Sequence, residues 1–222
     1  MIVEMPRFSG MMANCSSADV AAFVSEVAGA GYDPIAVGAV IENETNKTWS
    51  PAIAGAKAFS TPPGYAVGLL QFAPDTAKKL GTTTLAMKRM SFREQVKYVP
   101  RYYALFGGPD RFRRPVDYYL AGFGTGVGTA DSYVLARKGE PAYERNKGLA
   151  RGDDQITTGD LAAFVNGAIA RARSAGTLSV NLAAPPQFAT SGLPWPIPVS
   201  LGWFSFLGAA AAAAGAWWFY AR

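Results

Sequence analysis

The feature that most limits how this chain can fold is a charge-free stretch of 23 residues, from Val199 to Ala221. A helix of that length spans roughly 34 Å, which is enough to cross the hydrocarbon core of a bilayer. Aromatic residues near both ends resemble the belts of membrane interfaces, with Trp203 on one side and Trp217, Trp218 and Tyr220 on the other. We therefore predict one transmembrane anchor over residues 198–222. An apolar helix buried in an oligomer is the alternative.

The segment before this stretch predicts a linker. Residues 176–197 contain no charge, several prolines and no helical period. Residues 1–175 are then left to form one folded domain. The N-terminal sequence "MIVEMPRFSGMMANCSS" has no basic region followed by an apolar one, so we do not expect a secretory signal.

Patterning within residues 1–175 predicts a mainly α domain of the α+β type, with about seven helices and one small hairpin region. "SSADVAAFVSEVAGAG" and "DPIAVGAVIENET" show helical spacing after the expected N-caps Ser17 and Asp33. The Pro- and Gly-rich "SPAIAGAKAFSTPPGYAVG" predicts the hairpin. Pro100 is expected to kink or divide its helix. Helices are also expected in "APDTAKKLG", "SFREQVKYVPRYYALFGG", "PVDYYLAGFG", "TADSYVLARKG" and "TTGDLAAFVNGAIARARS".

Composition restricts the chemistry available to this domain. The chain has no histidine and one cysteine, Cys15. This excludes the usual Ser-His-Asp and Cys-His machinery and a histidine or thiolate zinc site. "NKGLARGDDQITTGDL" lacks the register and closing Glu of a calcium loop, so we expect no metal and no cofactor. Acid–base chemistry must then depend mainly on Asp, Glu, Tyr or Lys.

Two carboxylates end the second predicted helix. Glu44 follows Val40 and Ile41 by four and three residues, so it continues the apolar face of that helix. Glu42 points elsewhere and is expected to be a solvated bystander. A carboxyl in an apolar setting has a raised pKa and can act as a general acid near neutral pH. Glu44 is therefore the candidate catalytic residue.

Two later segments, in a fixed order after Glu44, carry a family resemblance. "GYAVGLLQFAPDTAKKLG" begins about twenty residues after it, and "YYLAGFGTGVG" follows later. Over roughly residues 20–140 the chain resembles the lysozyme-like lytic transglycosylases, in the group of soluble lytic transglycosylases and goose-type lysozymes. Members of that group carry a catalytic Glu followed by Ser at a helix end. A G-L-M-Q segment leading into P-x-T-A comes next, and then an A-Y-N-A-G segment.

The matching residues follow the same order. Glu44-Thr45 stands in for the Glu-Ser pair, and Trp49-Ser50-Pro51 resembles a downstream Phe-Asn-Pro. The second segment is matched by Gly68-Leu69-Leu70-Gln71, continued by Pro74, Thr76, Ala77 and Gly81. Residues 120–126 occupy the third, where Phe123 stands at the family's tyrosine, whose hydroxyl contacts the catalytic Glu. We expect Tyr118 or Tyr119, one turn earlier, to supply that hydroxyl.

The resemblance implies a lysozyme-like fold and cleavage of the MurNAc–GlcNAc β-1,4 bond of peptidoglycan. Glu44 would protonate the glycosidic oxygen and then deprotonate the C6 hydroxyl of the same MurNAc, forming 1,6-anhydro-MurNAc. The resemblance also implies substrate contacts by Gln71 and by Gly68, through close backbone approach. Further candidates for substrate contact or positioning are Tyr65, Tyr102, Tyr119 and Phe123. Core packing is the alternative for Tyr65 and Tyr102.

The count of carboxylates bears on the type of reaction. Glycoside hydrolysis usually needs two, about 5 Å apart for retention or about 6.5–9.5 Å apart for inversion. No convincing second carboxylate lies near the first two motifs, since Asp75 is expected to cap a helix. This favours a transglycosylase, a lyase-type cleavage, over the hydrolysis of a goose-type muramidase, which is the alternative glycosidase reaction.

Charge and the predicted anchor indicate partners and location. A net charge of +5 favours anionic partners, but no basic stripe interleaved with aromatics indicates nucleic acid. We expect binding to peptidoglycan strands, to a lipid membrane through the C-terminal helix, and to other virion membrane proteins. The anchor without a signal predicts a phage virion membrane protein acting in the host periplasm during entry. The alternatives are a wall-opening enzyme of a conjugation or secretion apparatus and a catalytically inactive glycan-binding virion protein.

Overall fold

A computed structural model describes residues 2–57, 62–123 and 126–182. These residues form a mainly helical structure with small sheets, so the predicted mainly α, α+β class is confirmed. Within that part of the chain, no helix is both long enough and apolar enough to span a bilayer. The predicted anchor over residues 198–222 and most of the predicted linker lie outside the described residues.

The helices of the described residues are mostly short. They are α1 (Ser9–Asn14), α2 (Ser17–Gly29), α3 (Pro34–Glu44), α4 (Pro74–Lys79), α5 (Thr84–Arg89), α6 (Phe92–Val96), α7 (Tyr98–Ala104), α8 (Pro115–Phe123), α9 (Pro141–Asn146) and α10 (Thr158–Ser174). Two 3₁₀ turns, Pro109–Arg111 and Lys147–Leu149, join them. The count exceeds the predicted seven because one predicted segment divides into α6 and α7, and because α1, α5 and α9 lie outside the predicted helical segments.

Six strands of the described residues pair into three antiparallel two-stranded sheets. The strands are β1 (Ile2–Pro6), β2 (Ala54–Lys57), β3 (Tyr65–Val67), β4 (Val134–Arg137), β5 (Gln155–Thr157) and β6 (Thr177–Asn181). β1 pairs with β6, β2 with β3 and β4 with β5. The β2–β3 pair is the hairpin predicted from the Pro- and Gly-rich segment.

Capping residues explain where the main helices begin. α2 begins after Ser16, one residue earlier than expected, because Ser16 and Asp19 form the capping box. Asp33 caps α3 as predicted, its carboxylate accepting from the Ile35 amide at 2.8 Å. The segment around Pro100 divides into α6 and α7. A proline clashes with the carbonyl four residues earlier, here that of Val96, the last residue of α6.

Two segments differ from their predictions. "TADSYVLARKG" was expected to be a helix, but it contains β4, whose Val134 pairs with Thr157 of β5. Residues 177–181 were assigned to the linker, but they form β6, with Val180 buried and paired with Val3. Both strands depend on partners that are distant in sequence, so local periodicity underestimates them. The folded unit therefore extends past residue 175.

The centre of the structure is α3, which packs against α2, α8 and α10. It is apolar nearly all round: Ala36, Val37, Ala39 and Ile41 have no exposed surface. A helix with this pattern is a core helix. Its C-terminal turn carries Glu42 and Glu44, so the fold places both carboxyls at the end of its most buried element.

Candidate active site

Glu44 is the last residue of α3 and is only partly buried. Protein atoms nevertheless crowd its carboxyl on most sides and remove much of its hydration. This desolvation raises the pKa of Glu44 from an ordinary 4.5 to about 7. A carboxyl with that pKa is present in both protonation states near neutral pH. It therefore has the property expected of a group that first donates and then accepts a proton.

Tyr119, on the neighbouring helix α8, supplies a hydroxyl to Glu44. Interaction with that hydroxyl opposes the desolvation and lowers the pKa of the carboxyl. In turn, burial and the charge of Glu44 raise the pKa of Tyr119 well above its ordinary value. Tyr118 has a different role, because its hydroxyl accepts from the Asp33 amide at 2.8 Å. Of the two tyrosines expected to face Glu44, the structure brings Tyr119 to it.

Aromatic rings from α7 line the same region. Tyr102 is almost fully buried, and burial together with the Glu44 charge raises its pKa. Its ring packs edge-on against Phe72, the residue after Gln71, with centroids 5.7 Å apart. Tyr103 is completely buried, and its hydroxyl has no hydrogen-bond partner among the described residues. This aromatic layer accounts for the poor hydration of Glu44.

The prediction for Glu42 is wrong, because its side chain is only 6% exposed. Its carboxylate accepts from the Ser9 hydroxyl at 2.8 Å, from the Gly10 amide at 3.1 Å and from the Trp49 indole at 2.6 Å. These donors come from α1 and from the segment after α3. Glu42 is therefore a buried structural acceptor that joins three parts of the chain. Helical geometry alone could not reveal these donors, two of which lie more than 30 residues away in sequence.

The segment after Glu44 has an unusual backbone. Asn46, Lys47 and Trp49 all have positive φ angles, of 46°, 62° and 50°. Such residues cost energy and persist only where surrounding contacts fix them. Here the Lys47 amide donates to the Glu42 carbonyl at 2.8 Å, and the Trp49 amide donates to the Thr45 hydroxyl at 3.0 Å. The end of α3 is thus held tightly at Glu44.

The predicted glycan-binding turn is a compact loop between β3 and α4. Gln71 is buried with φ of 48°, and its side-chain amide donates to the Gly68 carbonyl at 3.0 Å. Gly68 has φ of 83°, and a Cβ added there would collide with Gln95. Gln95, which no sequence motif indicates, holds this loop in place. Its side chain accepts from the Leu69 amide at 2.7 Å and donates to the Met87 carbonyl at 3.0 Å. The requirement for glycine at position 68 thus has a packing explanation, and its contact with sugar stays a prediction.

The remaining predicted residues lie around this loop and α8. Tyr65 is partly buried at the start of β3, and the Lys88 ammonium lies 5.6 Å from its ring centroid. Phe123 ends α8 and packs on Tyr119, with centroids 6.1 Å apart. Asp75 lies in the first turn of α4 instead of capping it, because the N-cap is Ala73. Within the described ranges no three His, Cys, Asp or Glu side chains are grouped as a metal site would require.

Comparison with known proteins gives no assignment: no family model, no curated protein and no solved structure matches the chain. Any function must therefore be argued from the site itself. Its central elements are the raised pKa of Glu44, the Tyr119 hydroxyl, the buried aromatic layer and the loop that carries Gln71. Together they describe a single acid–base group in a poorly hydrated setting.

Proposed function

We propose that this protein is a peptidoglycan lytic transglycosylase in which Glu44 acts alone as acid and base. The observation that carries the proposal is the raised pKa of Glu44, which is about 7. This carboxyl lies at the end of a buried helix and interacts with the Tyr119 hydroxyl. Burial alone often raises the pKa of a carboxyl. A partial opening to solvent, present at Glu44, is what a substrate also requires.

The proposed chemistry uses each protonation state in turn. Protonated Glu44 donates its proton to the glycosidic oxygen between MurNAc and GlcNAc as that bond breaks. The resulting carboxylate then takes the proton of the MurNAc C6 hydroxyl, whose oxygen bonds to C1 and closes the 1,6-anhydro ring. Glu44 ends the cycle protonated, as it began. Because the attacking hydroxyl belongs to the substrate, no second carboxylate is needed to activate water.

The surroundings of Glu44 support this one-carboxylate scheme. Among the described residues, burial and Tyr119 account for the shifted pKa, and no other carboxylate contributes to it. Glu42 is two residues away in sequence, but its carboxylate is fully occupied by Ser9, Gly10 and Trp49. Within the described part of the chain, no second carboxylate near Glu44 thus favours the hydrolysis of a muramidase, which stays the alternative outcome.

Tyr119 also strengthens the resemblance to the lysozyme-like family. The resemblance implies a tyrosine hydroxyl at the catalytic Glu. Tyr119 supplies one from a turn before Phe123, the residue that stands at the family's tyrosine position. A central helix ending in the acid, followed by a hairpin and the loop with Gln71, supports a lysozyme-like fold.

The cellular setting is a further part of the prediction. A phage virion membrane protein acting on the host wall depends on residues 198–222, which lie outside the described residues. The two alternatives, a wall-opening enzyme of a conjugation or secretion apparatus and an inactive glycan-binding virion protein, depend on the same segment. The Glu44 site favours an active enzyme over the last of these, because a carboxyl with this pKa suits acid–base chemistry.

Incubation of purified murein sacculi with the wild-type protein, Glu44→Gln and Glu26→Gln tests the proposal. Glu26→Gln is the control, because it removes a partly exposed carboxylate from α2, away from the end of α3. We expect soluble muropeptides from the wild type and Glu26→Gln, and at least a hundredfold less from Glu44→Gln. Equal release by Glu44→Gln, or none from the folded wild type, would refute the proposal.

A further inference from the structure

Charge is distributed very unevenly along this chain. Residues 74–104, the cationic segment, contain seven of the 21 basic residues and two of the 16 acidic ones. Their net charge of +5 equals that of the whole chain, and the 14 basic and 14 acidic residues elsewhere cancel. The segment covers α4, α5, α6 and α7. The basic character of the protein is therefore a local property of one part of its surface.

Most of these charges are free to act on a partner. Lys78 and Lys79 end α4, Lys88 and Arg89 end α5, and all four side chains are exposed. Their positions also stabilise the two helix C-termini. None of the four forms an ion pair within the described ranges, whereas Arg93 of the same segment is paired with Asp19 at 2.7 Å.

The acidic residues of the segment do little to offset this charge. The Glu94 carboxylate is occupied at the start of α6, where it accepts from the Ser91 amide and hydroxyl at 2.7 Å each. Asp75 precedes Lys78 and Lys79 by three and four residues, the spacing of neighbouring side chains on a helix, but its single charge cannot neutralise both ammonium groups. The C-terminal turns of α4 and α5 thus present net positive charge to solvent.

The cationic segment adjoins the loop of the candidate site. The Lys88 ammonium lies over the ring of Tyr65 in β3, and α5 packs against that strand. Gln95 of α6 links the Leu69 amide of the Gln71 loop to the Met87 carbonyl of α5. Lys88 therefore lies beside the strand that leads into the Gln71 loop, where a long ligand on that loop can reach it.

We propose that the cationic segment binds the free carboxylates of the peptide stems on the wall strand cleaved at Glu44. The inference depends on the proposed function, because it takes the same polymer as ligand. Peptide stems branch from MurNAc and end in carboxylates that move on flexible chains. Lysine ammonium groups lie at the ends of long, flexible side chains, so they suit such mobile carboxylates better than a fixed bidentate site does. Through charge alone, the segment thereby raises the local concentration of the wall polymer near the protein.

An anionic lipid surface is the other partner that a basic region attracts, and the exposed side chains favour it less. Membrane-surface helices bury a broad apolar face in the headgroup region. Among α4, α5 and α6, the one large exposed apolar side chain is Leu85, which is 51% exposed. A positively charged surface without an apolar face favours a hydrated anionic polymer, and not a lipid bilayer, as the partner of the cationic segment.

Binding to intact sacculi tests the proposal without any cleavage. The full chain in mild detergent carries Glu44→Gln throughout, so that the glycan stays whole. The first variant adds four glutamines in the cationic segment, at Lys78, Lys79, Lys88 and Arg89. A matched control removes the same charge from exposed positions outside the segment, at Lys147, Arg151, Arg171 and Arg173. Two of these control residues also end a helix, since Arg171 and Arg173 lie in the last turn of α10.

We expect the segment variant to bind sacculi at least about tenfold more weakly at low salt, and the control within about twofold of the parent. Amidation of the stem carboxylates with a carbodiimide should remove this difference, as should high salt. Equal binding by the two variants would overturn the proposal. A difference between the variants that persists on amidated sacculi would also overturn it. The same holds if the two variants differ in binding to phosphatidylglycerol vesicles and not in binding to sacculi. An active-site failure is seen separately, as wild-type protein that binds sacculi but releases no muropeptides.

Discussion

Glu42 and Glu44 lie in one helical turn, yet their surroundings assign them opposite roles. Glu42 is enclosed by three donors that come from α1 and Trp49. Glu44 faces a tyrosine hydroxyl and an aromatic layer, keeps some contact with solvent, and has a pKa near 7. At the scale of single residues, hydrogen-bond donors thus separate a structural carboxylate from a reactive carboxyl.

The stability of the protein should depend on pH through Glu44. Below pH 4.5 the group is protonated in both the folded and the unfolded state. Between 4.5 and about 7 the folded state keeps a proton that the unfolded state loses, so the free energy of unfolding falls as pH rises. Glu44→Gln should therefore be more stable than the wild type at pH 8, by roughly 2–3 kcal/mol, and nearly equal to it at pH 4. Urea denaturation at both pH values measures this, and an equal difference at both would contradict it.

Removal of the Tyr119 hydroxyl should change both the rate and its pH dependence. The Tyr119 hydroxyl lowers the pKa of Glu44, so Tyr119→Phe should raise that pKa further and move the alkaline fall in activity to higher pH. Loss of positioning should also lower kcat, by up to about a hundredfold. Tyr118→Phe is the matched control, since its hydroxyl contacts Asp33. A profile for Tyr119→Phe that coincides with that of Tyr118→Phe would count against a role for Tyr119.

Glu42→Gln should lower the free energy of unfolding. The amide presents a donor where Ser9, Gly10 and Trp49 all donate, so at least one buried donor loses its acceptor. An unsatisfied buried donor costs about 1–3 kcal/mol. Chemical denaturation should show a loss of that size, while Glu26→Gln on α2 should change stability by less than about 0.5 kcal/mol. A Glu42→Gln protein as stable as Glu26→Gln would show that the three donors contribute little.

At the scale of elements, local sequence patterns predicted the starts of helices but did not predict the pairing of strands distant in sequence. Asp33 with Pro34, and Ser91 with Glu94, marked helix starts that the structure contains. By contrast, β4 and β6 each need a partner strand to exist, 18 or more residues away. A short segment such as Thr177–Asn181 has no core of its own, and its alternating pattern becomes significant only beside β1.

Truncation tests the importance of β6 directly. A chain ending at residue 182 keeps the β1–β6 pair, whereas one ending at residue 175 loses it and exposes Met5, which is completely buried beside Leu178. We expect the shorter chain to be less stable by about 2–5 kcal/mol, as when a large core side chain is lost. Thermal unfolding compares the two. Equal melting temperatures would mean that the folded unit ends before β6, as the linker prediction required.

At the scale of the whole molecule, the sequence indicated the acid and the loop that follows it, but not how they are supported. Glu44 could be chosen because it continues the apolar face of α3 and precedes the Gln71 loop at a recognisable distance. The role of Gln95 could not be foreseen, since its contact with Leu69 joins segments 26 residues apart. Trp49 is close to Glu42 in sequence, but it reaches that carboxylate through positive-φ backbone that no sequence pattern predicts. The concentration of positive charge in residues 74–104 was visible in the sequence but gained meaning only beside that loop.

The proposed mechanism requires Glu44 to work without an activated water. Digestion of sacculi in H₂¹⁸O, with mass spectrometry of the released muropeptides, tests this most directly. We expect 1,6-anhydro-MurNAc ends that contain no ¹⁸O and resist borohydride reduction, formed by the wild type and absent with Glu44→Gln. Reducing MurNAc ends labelled with ¹⁸O would contradict the account, because they would show that water attacks and that a second group activates it.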